Sequence, residues 1–194
     1  KNTRIISSFI PPLFSGEILT EELDIRIKDF KSKYDKVFCS NAFNLNYDKD
    51  GNEIYGIFEI IEFFMNNLNM GFIFSDPSGA YSKEFKRRKL RLSDNIFVIT
   101  EKHSFYEILS VSDFSIRNTS TDGDSISVKE SLYLKVPVFC TNVVSRPKGS
   151  LLYERGGLAD RIMKKNQLNE NFFKANIEDG SIKILNLYRM IKKN

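Results

Sequence analysis

The sequence contains no tryptophan, one histidine and only two cysteines among its 194 residues. Cys39 and Cys140 lie in apolar runs, and no histidine or second cysteine is adjacent to either. They predict buried thiols rather than a metal site or a disulfide framework, which is typical of a reduced, cytosolic protein. No apolar run approaches the roughly 20 residues that a membrane-spanning helix requires, so the sequence predicts a soluble protein.

The aromatic residues supply most of the core material. The apolar fraction of 41% is slightly low for a globular protein, but 17 phenylalanines and 8 tyrosines compensate for it. The net charge of +4 is only weak evidence for an anionic partner. Because the chain begins Lys1-Asn2-Thr3-Arg4, without an initiator methionine or a signal peptide, we expect it to be an excised piece of a longer protein.

Short apolar runs alternate with helical patterns along the whole chain. Strands are predicted at 4–10, 36–40, 72–75, 96–100, 114–118, 137–141 and 151–153. Helices are predicted at 20–33, 57–68, 80–90, 104–110, 125–134, 158–166 and 181–192. This alternation predicts a single α/β domain over 1–194, a Rossmann-like, doubly wound parallel sheet flanked by helices. Ligands of such folds bind beyond the carboxyl ends of the strands.

The most informative strand-to-helix loop is Thr121-Asp122-Gly123-Asp124-Ser125. A glycine-containing turn that opens a helix presents free backbone N–H groups at the positive end of the helix dipole, where phosphates bind. Gly123 permits close approach of the backbone, and Ser125 can cap the helix when no ligand is present. A plain helix start is the simpler interpretation of this loop taken alone.

Two carboxylates accompany this loop, because Asp122 lies in it and Glu130 lies in the helix that follows. Seven residues separate them, so both could flank a ligand whose phosphates rest on the helix N-terminus. Carboxylates accept hydrogen bonds well from sugar and ribose hydroxyls. Asp122 and Glu130 are therefore predicted to flank the bound ligand.

The segments SDFSI (112–116), DGDSISVKESL (122–132) and KVPVF (135–139) resemble the donor-binding region of GT-B glycosyltransferases. The resemblance is to retaining family 4, the "glycosyl transferases group 1" of bacterial surface-polysaccharide synthesis. That family has an acidic residue and a glycine in the loop, a glutamate after seven intervening residues, and then a Gly-Val-Pro-Val strand. The segment SFIPP (8–12) resembles the crossover into the C-terminal domain, so 1–16 is expected to be an inter-domain segment.

The resemblance implies a role for each matched residue, and it makes Asp122 and Glu130 the catalytic carboxylates. Glu130 would bind the ribose of a nucleotide, Asp122 would contact the hydroxyls of the donor sugar, and Thr100 and Glu101 would lie near the base. The diphosphate would rest on the backbone of Gly123, Asp124, Ser125 and Ile126. The resemblance implies no metal and no cofactor other than the donor, a UDP- or GDP-sugar.

The chain departs from the family pattern at two cationic positions. The family has an arginine after the first strand and a lysine before the glycine that opens the next helix, and both neutralise the leaving diphosphate. Here these places hold Asn41 and Tyr55. Loss of both cations would weaken stabilisation of the leaving group. Arg117, Arg146 and Lys49 are the candidates to replace them.

Two other features have simple interpretations. The single histidine, His103, lies in a predicted loop, where histidines are usually solvated or cap a helix. The basic run Lys83, Lys86, Arg87, Arg88, Lys89 and Arg91 is typical of a solvated helix face. Its alternative is attraction to an anionic membrane surface. Nucleic-acid binding is not indicated, because no recognition motif accompanies the charge.

The sequence therefore predicts the donor-binding domain of a glycosyltransferase. It would transfer sugar, with retention, to a saccharide or lipid-linked acceptor held by an absent N-terminal domain, in polysaccharide, capsule or lipopolysaccharide synthesis. The fragment alone would be inactive, and the protein would be cytoplasmic, with peripheral contact at the inner membrane face. Two alternatives stay open: a nucleotide-sugar epimerase-like GT-B relative, and a non-catalytic Rossmann-like interaction module.

Overall fold

The computed structural model of the chain describes residues 9–12, 19–164, 177 and 179–191. Six strands form one sheet: β1 (Val37–Asn41), β2 (Gly71–Ser75), β3 (Ile96–Ile99), β4 (Phe114–Arg117), β5 (Val138–Thr141) and β6 (Leu151–Tyr153). The helices are α1 (Glu21–Ser32), α2 (Ile57–Met65), α3 (Ala80–Arg87), α4 (Phe105–Val111), α5 (Ile126–Tyr133), α6 (Leu158–Met163) and α7 (Gly180–Ile191). Each of these elements coincides with a predicted one, usually within one to three residues at either end.

All five strand pairs are parallel, and the strand order is β3-β2-β1-β4-β5-β6. The order reverses between β1 and β4, so their carboxyl ends diverge into helices on opposite faces and leave a crevice between them. The predicted α/β, Rossmann-like fold is confirmed. Ligands of such folds bind in this crevice.

The central strands are buried on both faces, which explains their continuous apolar runs. Along β2, Phe72 and Phe74 pack into the cluster beneath α2 and α3, whereas Ile73 points to the opposite cluster beneath α1 and α4. Aromatic rings dominate the first cluster, and Phe64 of α2 stacks on Phe72 with ring centroids 4.8 Å apart. The two thiols, Cys39 and Cys140, are free and buried as predicted.

Helix α2 ends earlier than the apolar spacing predicts. The helix stops at Met65, and Leu68 lies beyond it with 61% of its surface exposed. Asn66 and Asn67 end the helix, because their side-chain amides donate to the carbonyls of Glu62 and Phe63. These bonds satisfy carbonyls that would otherwise lack partners at the helix end.

Two predictions about the chain ends need correction. The sequence pattern of the last helix, α7, predicts packing residues at Leu187, Tyr188 and Ile191, but Tyr188 and Ile191 are 63% and 61% exposed. Apolar residues occupy more than one side of this helix, and the domain covers only one side. The predicted strand 4–10 and the crossover segment 1–16 lie largely outside the described residues. The described part at 9–10 is not strand.

Candidate functional site

The floor of the crevice is a close contact between the loops that follow β1 and β4. Asn118, directly after β4, donates its side-chain amide to the carbonyl of Gly56 at 3.1 Å and to Glu59 Oε2 at 2.8 Å. Tyr153, at the end of β6, donates its hydroxyl to Asn118 Oδ1 at 3.1 Å. Gly56 has a φ of +62° and no room for a side chain, which explains the glycine before α2.

The N-terminus of α2 opens onto this crevice but is closed by a carboxylate of the chain itself. Glu53 Oε1 accepts the backbone N–H of Ile57 at 2.7 Å, and Oε2 accepts that of Phe58 at 3.1 Å. The hydroxyl of Tyr81 also donates to Oε1, and Arg155 holds the carbonyl of Glu53 at 2.6 Å. An anionic ligand cannot use this helix end while Glu53 occupies it.

We expect Glu53→Gln to destabilise the domain by about 1–2 kcal/mol, the scale of a lost helix cap together with its favourable charge at the helix N-terminus. Urea unfolding followed by circular dichroism measures the change. Glu22→Gln is the control, because Glu22 is exposed in the first turn of α1, where Thr20 provides the cap. Equal stability of both variants would show that Glu53 does not hold α2.

The loop after β4 is organised by Asp122 and two arginines. Arg117, the last residue of β4, donates Nε and Nη2 to the two oxygens of Asp122, both at 2.9 Å. Arg146, in the loop after β5, donates Nη1 to Asp122 Oδ2 at 2.7 Å. The structure therefore brings together three of the predicted site residues that are up to 29 positions apart in the sequence (146 − 117).

This cluster is nearly closed to water. The side chains of Asp122, Arg117 and Arg146 are 8%, 14% and 1% exposed. Burial opposes ionisation of Asp122, but the two guanidinium groups outweigh it and lower the pKa of its carboxyl to about 2. At neutral pH the cluster consists of two cations and one anion, and so carries one net positive charge.

Helix α5 begins at Ile126, four residues after Asp122. Ser125 stands at the N-cap position, but its hydroxyl lies 3.2 Å from that of Ser127 and makes no cap hydrogen bond. Asp124 forms an ion pair with Lys129, which is 10% exposed. The N-terminus of α5, where Ser125 makes no cap hydrogen bond, and the positive cluster belong to the same loop, an arrangement that suits an anion.

Glu130, on the second turn of α5, differs from Asp122 in having no partner. Its carboxylate accepts no hydrogen bond from any of the residues that the structure describes. Burial raises the pKa of this carboxyl, since little solvent remains to stabilise its charge. Such an acceptor has the capacity to receive a hydrogen bond, for example from a ligand hydroxyl.

The remaining predicted residues lie on neighbouring strand ends. Asn41 ends β1 in register with Ser75 of β2, and Thr100 follows β3 exposed to solvent. Glu101 forms an exposed ion pair with Arg26 at 2.8 Å. Within the part of the chain that the structure describes, none of these three contacts Asp122 or Glu130, so they lie at the same edge of the sheet rather than in the same cluster.

His103 is neither simply solvated nor a helix cap, and that interpretation is wrong. Its Nε2 lies 2.7 Å from the hydroxyl of Ser75, and its Nδ1 lies 2.6 Å from the carbonyl of Glu101. The ring thereby joins the loop after β3 to the end of β2. A sequence cannot reveal this bond to a residue 28 positions away.

The basic run on and after α3 is partly engaged within the chain. Arg87 and Arg88 both pair with Glu84 at 2.6 Å, and the Arg88 guanidinium lies 4.1 Å from the centroid of the Phe58 ring. Within the described residues, no helix is long and apolar enough to cross a membrane. The same residues include no group of three or more histidine, cysteine or acidic side chains that could hold a metal ion.

Sequence reasoning missed Glu53, Asn118 and Arg155. Asn118 contacts Glu59 across 59 positions, and Arg155 contacts Glu53 across 102 positions. No local pattern marks such residues, because each acquires its role from an element far away in the chain. Only Glu53 has a local sequence feature that could have indicated its role, because it is an acidic residue just before α2. It lies four and five residues before the two residues whose backbone N–H groups it accepts.

Comparison with known proteins rests on structure, since no family profile and no curated protein sequence matches the chain. Many solved structures match, and they include glycosyltransferases. HepE from Anabaena, solved in complex with UDP-glucose, superimposes with a TM-score of 0.64 and 10% identity, over 98% of this chain and 57% of that protein. The C-terminal domain of the glycosyl transferase group 1 protein LpcC from Francisella tularensis matches over 93% of this chain and 95% of that domain, with a TM-score of 0.52 and 15% identity.

An α,α-trehalose-phosphate synthase (UDP-forming) from Burkholderia vietnamiensis matches with a TM-score of 0.60 and 14% identity, over 86% of this chain. The chain spans about two fifths of the length of that synthase, 43%, and of a second synthase from Burkholderia multivorans, 41%. At these identities the likeness shows a shared fold. The chain thus has the Rossmann-like fold of one domain of GT-B glycosyltransferases.

Proposed function

We propose that this chain is the donor-binding domain of a glycosyltransferase and holds a nucleoside diphosphate sugar beyond the carboxyl ends of β1 and β4. The observation that carries the proposal is the combination of Glu130 and the N-terminus of α5, where Ser125 makes no cap hydrogen bond. A half-buried carboxylate with no hydrogen-bond partner among the described residues and a helix N-terminus without a Ser125 cap lie on the same helix, about one turn apart. A ribose followed by a diphosphate offers the hydroxyls and the anion that these two features can bind.

The chain's own residues would each hold one part of the donor. Glu130 accepts hydrogen bonds from the ribose hydroxyls. The backbone N–H groups at the start of α5, from Gly123 to Ile126, receive the diphosphate. Thr100 and Glu101 follow β3, and His103 fixes their loop, so this loop contributes to the base pocket. Because Glu53 closes the N-terminus of α2, the diphosphate has one helix end available at this crevice rather than two.

The finer features of the proposal follow from the resemblance of residues 112–139 to the donor region of retaining glycosyltransferases. They are a UDP- or GDP-sugar as donor, a saccharide or lipid-linked acceptor held by another domain, and retention at the transferred carbon. A role in surface-polysaccharide synthesis at the cytoplasmic face of a membrane belongs to the same proposal. Donor positioning then relies on protein groups, with no metal ion required.

We expect Glu130→Ala to weaken binding of the donor nucleotide by about 1–3 kcal/mol, the scale of a lost hydrogen bond to a charged group. Calorimetric titration of the chain with UDP, GDP and their sugars measures the effect. Glu62→Ala is the matched control, because Glu62 is exposed on α2 at the other face of the sheet and should leave binding unchanged.

Two results would contradict the proposal. The first is that the unaltered chain binds none of these nucleotides, which would favour the non-catalytic interaction module. The second is that the chain binds a nucleotide and Glu130→Ala binds it equally well, which would remove Glu130 from the site. Unfolding curves for both variants establish that each is folded at the temperature of the titration.

A further inference from the structure

We infer that Arg117 is the side chain that neutralises the donor diphosphate, and that Asp122 is a positioning residue for Arg117 rather than a contact for the donor sugar. The inference rests on the proposed function and deepens it, because it assigns one named cation to the diphosphate subsite. It also reverses the role that the sequence resemblance implies for Asp122.

Asp122 has no acceptor capacity left for a sugar. Oδ1 receives Nη2 of Arg117 at 2.9 Å and the backbone N–H of Gly123 at 3.0 Å. Oδ2 receives Nε of Arg117 at 2.9 Å, Nη1 of Arg146 at 2.7 Å and, at 3.4 Å, the hydroxyl of Thr119. An ionised carboxylate has about four lone-pair sites, and five donors surround this one. Sugar hydroxyls would have to displace a charged hydrogen bond to reach it.

Arg146 is equally occupied. Besides Asp122, its Nε donates to the carbonyl of Thr141 at 3.0 Å, and its Nη2 donates to the hydroxyl of Thr119 at 3.1 Å. With 1% of its side chain exposed, it has no surface to offer a ligand. Arg146 therefore holds Asp122 in place, and the loops after β4 and β5 together, but does not meet the donor.

Arg117 is the member of the cluster with donor capacity to spare. Two of its three guanidinium nitrogens are taken by Asp122, and Nη1 has no partner among the residues that the structure describes. That atom is also not among the buried polar atoms sealed from solvent, and the side chain is 14% exposed. The bidentate bond to Asp122 fixes the plane of the guanidinium, as such pairs do. Its free edge is thereby held in one orientation.

The residue that replaces the family's lysine supports this arginine. Tyr55 precedes Gly56, and its ring centroid lies 5.0 Å from the guanidinium carbon of Arg117. An arginine over a tyrosine ring is stabilised by a cation–π interaction. The loop of Tyr55 is also tied to the loop of Asp122, because the N–H of Ser120 donates to the carbonyl of Ile54 at 2.8 Å. Arg117 of β4 thus supplies a cation in place of the lysine that the family has at position 55. Its guanidinium group lies over the ring of Tyr55, which occupies that position here.

The two possible roles of Asp122 differ in which ligand binds more weakly when Asp122 is replaced. A sugar contact would matter for a nucleotide sugar and not for the nucleotide. A residue that positions Arg117 would matter equally for both, because both carry the diphosphate. The experiment titrates the whole chain with UMP, UDP and UDP-glucose, and with GMP, GDP and GDP-mannose, and continues with the series that binds more tightly.

We expect Arg117→Gln to weaken binding of the diphosphate at least tenfold and that of the monophosphate less than threefold. Asp122→Asn should weaken UDP and UDP-glucose, or their guanine counterparts, by the same factor. Arg87→Gln, which removes an exposed arginine on α3, is the control and should change no affinity. Adding Tyr55→Lys to Arg117→Gln returns a cation to the vacant position and should recover most of the lost affinity.

Three results overturn the inference while leaving the proposed function intact: diphosphate affinity unchanged in Arg117→Gln, weakening of the nucleotide sugar alone in Asp122→Asn, or no recovery in the folded double variant. If the unaltered chain binds no nucleotide of either series, the proposed function itself fails, and the two failures are therefore distinct. Unfolding of each variant is recorded first. If Asp122→Asn does not fold, the inference is tested with Arg117→Gln alone, because Arg146 still pairs with Asp122 in that variant.

Discussion

Gly56→Ala is expected to destabilise the domain by about 3–5 kcal/mol, the sum of a strained backbone and an overpacked crevice floor. Gly56 has a φ of +62°, where an L side chain is strained. A Cβ atom there would lie 2.4 Å from the carbonyl oxygen and 2.5 Å from the side-chain amide of Asn118. Asn118 cannot give way easily, because Gly56, Glu59 and Tyr153 hold its side chain from three sides.

The chain offers a matched control in Gly79. Gly79 occupies the same position before α3 that Gly56 occupies before α2, and its φ of +68° is nearly identical. An added Cβ would meet nothing within 4 Å there. Gly79→Ala therefore measures backbone strain alone, about 1–2 kcal/mol. Urea unfolding of both variants gives the difference, and equal destabilisation would show that contact with Asn118 does not constrain the crevice.

Asp122→Ala should cost about 3–5 kcal/mol, because it leaves Arg117 and Arg146 side by side without their shared anion. Arg146 is the more severe case, with 1% of its side chain exposed. A buried charge that loses its partner keeps its desolvation penalty and gains nothing in return. Thermal or urea unfolding measures the loss. Asp29→Ala, which breaks an exposed pair with Lys33 on α1, should hardly move the midpoint.

The same carboxylate gives the stability of the domain a specific dependence on acid. The folded-state pKa of Asp122 is about 2, below its ordinary value of 3.8, so folding favours the ionised form. Its contribution is complete above about pH 4 and is lost as the pH falls from about 4 to about 2, with a total on the order of 2 kcal/mol. Asp122→Asn should remove this part of the pH dependence. An unchanged acid transition in that variant would mean that other carboxylates cause it.

The loop after β4 contributes both to the stability of the domain and to the proposed donor site. The cluster of Arg117, Asp122 and Arg146 ties the loop after β4 to the loop after β5, and the same loop opens α5. Because the carboxylate oxygens of Asp122 already accept hydrogen bonds from both arginines, Asp122 stabilises the fold. For the same reason it is a poor acceptor for the hydroxyls of a sugar. Glu130 is the opposite case, because its carboxylate has no hydrogen-bond partner among the described residues, and we propose that it binds the ligand.

The contrast between Asp122 and Glu130 could not be predicted from the sequence. The sequence placed Asp122 and Glu130 in one site by their spacing of seven intervening residues. It assigned them similar chemistry, because nothing local distinguishes one carboxylate from the other. The difference arises from Arg146, which reaches Asp122 across 24 positions. The cluster that the structure shows is thus composed of residues that the sequence had named separately.

By itself, the sequence determined the order and type of the elements, the parallel sheet and the loop that opens α5. Those features follow from apolar periodicity, from glycine before helices and from spacing within a few residues, all of which are local. Only the tertiary structure decided that Glu53 closes α2, that His103 joins two loops and that Leu68 and Tyr188 face solvent. It also decided that the carboxylate of Asp122 is fully hydrogen-bonded, whereas that of Glu130 has no hydrogen-bond partner among the described residues. Each of these depends on which distant atoms satisfy a charge, a hydrogen bond or an apolar surface, and folding alone brings those atoms together.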